Sequence, residues 1–212
     1  MKVGITGHRN QRLGLPEDET DEKWTPIQFW IIDELSKFIK TCADNNEPLD
    51  LYTGMASGSD IAFAIAGVSM YYINSIKLHC ILPCKDYNSS HKYYKFLKLK
   101  ATEWVELSDK FYKGCDNVRD QYIVDKCDVL LAIWDGNKSG GVWSTIRKAQ
   151  KAGKRIIYCP KEVLEFYNWN YLWRIRWVKQ LKQGIEIQWK KQNKKTKELD
   201  LYPQCVGGVN YI

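Results

Sequence analysis

Three short segments carry the residues of this sequence best suited to chemistry. The first is TGMASGSD at 53–60, the second SGG at 139–141, and the third GITGHR at 4–9. An apolar run, LDLY, leads into the first, and an apolar helical pattern follows it. Glycines between a strand and a helix let backbone N–H groups approach a guest with no Cβ in the way. A following helix N-terminus adds positive potential, so an anion such as a phosphate is the expected guest. Gly54, Gly58, Gly140 and Gly141 supply the bare backbone, and Thr6, Thr53 and Ser57 supply hydroxyls. Gly7 and Met55 belong to the same turns, and Arg9 offers a fixed cation. Asp60 fits two roles, holding a ribose hydroxyl or capping its helix. His8 reads equally as a general acid, a stacking ring or a structural loop residue. Pro83, Arg119, Trp134 and Asp135 flank the same region, and Asp60 and Asp135 are the carboxylates available to a reaction. Neither glycine turn matches GxGxxG or the Walker A pattern, which argues against a standard dinucleotide enzyme or P-loop NTPase.

These segments need a scaffold that gathers them. Apolar runs at 2–6, 49–53, 76–82, 128–134 and 155–159 read as strands, and DVLLAIW (128–134) is continuous enough for a central parallel position. Helical patterns alternate with them, over 25–42, 59–68, 93–107, 117–127 and 142–152, with a short strand at 110–113. Thr25 is expected to cap the first helix and Gly153 to close the last. The alternation predicts an α/β fold: a Rossmann-like, doubly wound, mainly parallel sheet. In such a sheet ligands bind outside the C-terminal ends of the strands, where all three segments converge.

Residues 1–160 form the expected ligand-binding domain. Residues 161–212 form a basic, Trp-rich helical extension packed on that domain or at an oligomer interface. The net charge is +7, and the extension holds ten Lys and Arg against five acidic residues, so most of the excess lies there. Trp169, Trp173 and Trp177 share one helical face, read as packing, with base stacking as the alternative. Residues 190–198 are too polar to bury and read as a loop or hairpin tip. Seven cysteines with no CxxC spacing read as buried free thiols and not as a metal site. The 44% hydrophobic and 27% charged composition is that of a globular protein without a membrane span. The absence of a signal-peptide pattern at MKVGITGH makes the cytoplasm the expected location, that of the host cell for a phage-encoded chain.

GITGHR, Leu13-Gly14, TGMASGSD, LPC (82–84), VRDQYIVDKCDVLLAIWDG (118–136) and Gly140-Gly141 occur in the order found in the SLOG superfamily. Residues 1–160 most resemble its small YpsA-like members, common in bacteria and phages. The resemblance implies a Rossmann-like sheet with a nucleotide-derived ligand over the glycine turns. Lonely Guy relatives cleave N-glycosidic bonds, and others resemble sensors of nucleotide signals in antiviral defence. The Lonely Guy PGGxGTxxE motif appears here as SGGVWST, with Val142 for Thr and Thr145 in place of Glu. The usual Arg-Asn pair is Arg119-Asp120. Loss of that Glu removes an electrostatic element of glycosidic cleavage.

The resulting expectation is a binder of a nucleoside phosphate, ADP-ribose or a cyclic ADP-ribose-like signal, acting as a phage-type sponge, with no cofactor or metal. A homo-oligomer is expected, and nucleic acid is not expected as a partner. Two alternatives stand beside it: a nucleotide N-glycosidase or deoxyribosyltransferase, and nucleic-acid binding through the basic tail.

Overall fold

The computed structural model describes residues 1–70 and 76–165. The readings of Trp169, Trp173 and Trp177, of residues 190–198, and of almost all of the 161–212 extension lie outside the described residues.

Six strands form one all-parallel sheet: β1 (Lys2–Gly7), β2 (Leu49–Thr53), β3 (Ile76–Leu82), β4 (Glu103–Glu106), β5 (Val129–Ile133) and β6 (Arg155–Tyr158). Their order is β4-β3-β2-β1-β5-β6. The chain winds outward from β1 to β4, then crosses back to β5 and continues to β6. With right-handed crossovers, this reversal puts helices on both faces. Helices α2 (Thr25–Asp44), α3 (Ser59–Ser69) and α4 (Tyr94–Lys100) belong to the outward winding; α5 (Cys115–Lys126) and α6 (Gly140–Lys151) belong to the return. Two four-residue helices, α1 (Asn10–Leu13) and α7 (Lys161–Leu164), also fall among the described residues. All five residues of β5 are buried, as its unbroken apolar sequence requires.

The expected α/β fold is observed, with three local differences. The helix read over 93–107 stops at Lys100, where Ala101 is extended, and 103–106 pair with β3 instead. Val105 and Trp104 suit a strand, but four edge residues, one exposed and three half-exposed, leave no clear alternation. The strand read at 110–113 is not one. Thr25 opens α2 without acting as its side-chain cap, because a 3-10 turn at Glu22–Trp24 leads straight into the helix. Gly153 does follow α6 with φ of 65°, and its N–H donates to Gln150.

Cys42, Cys80, Cys84, Cys115, Cys127 and Cys159 are free and buried, as read from the sequence. Burial pushes the Cys159 thiol up to about 12 and the Cys127 thiol to about 11, which keeps both protonated and unreactive. No described helix is long and apolar enough to cross a membrane.

Candidate functional site

The winding reverses between β1 and β5, and a cavity of about 460 Å³ opens there at the C-terminal ends of the strands. β1 and the turn after it deliver Thr6, Gly7, His8 and Arg9 to it; the loop after β2 delivers Ala56, and the first turn of α3 delivers Asp60. Arg119, Asp116 and Asp120 come from α5, and Gly141, Val142 and Thr145 from α6. Of the sequence-predicted site residues, Thr6, Gly7, His8, Arg9, Asp60, Arg119 and Gly141 therefore share one cavity.

The glycine turn at 53–60 behaves differently from expectation. Gly54 does make room, but its space is taken by the chain itself. The Arg119 guanidinium lies against the Gly54 backbone and donates to its carbonyl, and a Cβ there would collide with it. Gly58 adopts φ of 93°, and its Cβ position is crowded by the Arg9 and Asn10 backbone. Its N–H donates to Glu19 Oε1 at 2.7 Å. Glu19 is fully buried, with His91 Nε2 3.3 Å from its other carboxylate oxygen. An anion does sit at this turn, and it is Glu19.

Several expected contacts are thereby corrected. Thr53 is buried and donates to the Asp60 carbonyl at 2.9 Å. The Met55 side chain is fully buried in the core. Pro83 is buried away from the cavity, its carbonyl accepting from Ser108. Ser57 donates to Asn88 Oδ1 at 3.4 Å. Asp60 does not cap α3, whose N-cap is Gly58; it reaches back to accept from the Ala56 N–H at 3.2 Å.

Buried charges cluster around Arg119. Its Nε donates to Asp120 at 2.7 Å, and Nη1 lies 3.4 Å from Asp60. Burial pushes the Asp60 carboxyl up to about 6, against the opposing pull of Arg119 and the Ala56 N–H. Thr145 donates to Asp120 Oδ2 at 3.0 Å. The position that lacks a glutamate in the sequence thus has a carboxylate beside it, carried by α5.

A second cluster closes the rim. Asp135 receives Arg12 Nε and Nη2, both at 2.8 Å, and its other oxygen lies 2.9 Å from His8 Nε2. Desolvation opposes the charge of Asp135, but the Asn137 N–H, His8 and Arg12 hold its carboxyl at about 2. Burial lowers His8, with Asp135 pulling the other way. Trp134 and Gly140 are not among the residues lining the cavity, and a Cβ on Gly140 or Gly141 would meet open space. The sequence reading missed Glu19, Arg12 and Tyr87, whose hydroxyl accepts from Arg9 Nη2 at 3.2 Å. Glu19 and Tyr87 lie in polar loops and Arg12 in a four-residue helix, none with a periodicity to reveal it. Among the described residues, no group of three His, Cys, Asp or Glu side chains could hold a metal ion.

No family model matches the sequence, and no curated protein matches it. Among solved structures the chain is similar to DNA processing protein A (DprA) from Streptococcus pneumoniae. The TM-score is 0.50 at 14% identity, over 90% of this chain and 56% of that one. DprA from Helicobacter pylori, whose structure is described in terms of single-stranded DNA binding, matches with a TM-score of 0.49 and 16% identity, over 86% of this chain and 80% of that one. This chain therefore spans little more than half the length of the first neighbour, and the likeness speaks to the Rossmann-like fold. It also corrects two expectations. The first neighbour is named for DNA processing, and on that finding the small-molecule sponge reading and the exclusion of nucleic acid are corrected. At the 53–60 turn itself, Glu19 and Arg119 take the space where a small anion was expected.

Proposed function

We propose that this chain binds single-stranded nucleic acid at the C-terminal edge of its sheet, with a backbone phosphate beside Arg9. The observation that carries this reading is the state of Arg9. It is exposed at the cavity mouth and donates to a neutral phenol, Tyr87. Arg12 and Arg119 line the same cavity but are matched by Asp135 and by Asp60 and Asp120. Arg9 thus keeps its charge for a partner. A cavity of about 460 Å³ accepts one nucleotide and is too small for a duplex. The shared fold with a protein named for DNA processing supports the same reading.

Fluorescence anisotropy with a labelled 20-mer of thymidylate tests it. Affinity should fall steeply with salt, and Arg9→Ala should flatten the log–log salt slope by about 0.7, the share of one single-strand phosphate contact. A wild-type protein that binds no oligonucleotide would sink the proposal. The basic segment offers a second site, because Lys190, Lys191, Lys194, Lys195 and Lys197 crowd eight residues. Changing these five to Gln separates the two: if that variant loses affinity and Arg9→Ala does not, the segment and not the cavity holds the strand.

A further inference from the structure

Beside the cavity, at the mouth of β5 and β6, three aromatic rings cluster at the surface, two of them stacked. Trp134 lies parallel to Trp143, with centroids 5.3 Å apart and planes 12° from each other. Tyr158 approaches Trp134 at 6.0 Å and 43°. The two tryptophans are only half-buried and Tyr158 is 42% exposed, whereas Trp24 and Trp30 of the core are closed off from water. The Trp134 indole N–H donates to the Asn137 carbonyl at 2.9 Å, which fixes the ring. Lys138 places its ammonium 5.8 Å from the Trp143 ring centroid.

We infer that Trp143, backed by Trp134, is a base-stacking platform for the strand proposed to bind at the cavity; this inference rests on that reading. Indole faces stack any of the bases, because every base presents a π-face, and stacking does not depend on sequence. A rigid, pre-stacked pair loses little side-chain freedom when a base arrives. The position suits a continuous strand. Gly141 and Val142, just before Trp143, line the cavity, and Asp135, just after Trp134, holds the cavity's Arg12 and His8. A nucleotide with its phosphate at the cavity mouth therefore has the ring as its next surface. Lys138 now rests over the ring by an exposed cation–π contact, which is weak. A base would displace it, leaving the ammonium free to meet a phosphate.

The test compares two probes on the full chain: a labelled thymidylate 20-mer and a 20-mer of abasic sugar-phosphate with the same charge. Trp143→Leu should weaken thymidylate binding about tenfold and leave the abasic probe unchanged, and Trp143→Phe should recover most of the loss. Unchanged thymidylate binding by Trp143→Leu overturns the platform while the binding reading stands. Equal losses on both probes also overturn it, because Trp143 would then serve only to hold the loop. If wild-type protein binds neither probe, the binding reading falls and the platform with it.

Discussion

The carboxylate of Glu19 and the backbone N–H of Gly58 meet at 2.7 Å across 39 residues of sequence. The turn expected to greet a phosphate is thus closed by an internal anion that helix α3's N-terminal field favours. Glu19→Ala would leave a buried N–H unpaired, and should cost about 2–3 kcal/mol in urea denaturation. Glu19→Gln retains an acceptor and should cost about half as much. A Glu19→Ala variant as stable as wild type would show that the turn does not depend on this contact.

Gly54 and Gly141 look alike in the sequence and should respond oppositely to alanine. At Gly54 the new methyl would run into the Arg119 guanidinium, and such overpacking costs about 1–3 kcal/mol. At Gly141, within α6 and open to solvent, alanine removes backbone entropy and should be neutral or stabilising by up to about 1 kcal/mol. Thermal midpoints of the two variants check the pair. Equal effects would mean that Arg119 moves aside at little cost.

The contrast also shows what the sequence could reveal. Strand β5 was legible because DVLLAIW is apolar without a break, and only a strand covered on both faces needs that. The bareness of the 53–60 turn was legible too, as a demand for space. Its occupant was not, because Arg119 and Glu19 reach the turn from distant segments with no periodic pattern. Residues 103–106 were lost into a helix because an edge strand of four residues carries too few alternations to outweigh the apolar helical spacing before it. Trp143 drew no reading of its own within the helix over 142–152, since exposure of its ring depends on Trp134 and the loop between them.

Asp60 gives the fold a pH dependence of definite sign. In the unfolded chain an aspartate loses its proton near pH 4, whereas burial keeps Asp60 protonated up to about 6. Between those values the native state binds more protons than the unfolded one, so stability falls as pH rises from about 4 to about 6. The contribution is about 3 kcal/mol at most. Asp18 and Asp135 are held low by their partners and act below this window, with the opposite sign. Urea denaturation of wild type and Asp60→Asn from pH 4 to 7 should converge at the acid end and diverge towards neutrality, with the variant relatively more stable there. A difference independent of pH would show that Asp60 titrates at its ordinary value.

Asp135 is where competition within the site can be read directly. Its carboxylate binds both Nε and Nη2 of Arg12, a two-point pairing that a phosphate would otherwise accept. Asp135→Asn removes the negative charge and leaves Arg12 available at the rim, close to the cavity that Arg9 opens. The pair is more than one-third exposed, so the loss to folding should stay within about 1 kcal/mol. Thymidylate affinity, by contrast, should rise, and the salt slope should steepen by about 0.7 as one more phosphate contact forms. The opposite result has its own meaning. If Asp135→Asn weakens binding, the carboxylate orients Arg12 for the strand and does not compete with it, and a double variant with Arg12→Ala would then show no further loss.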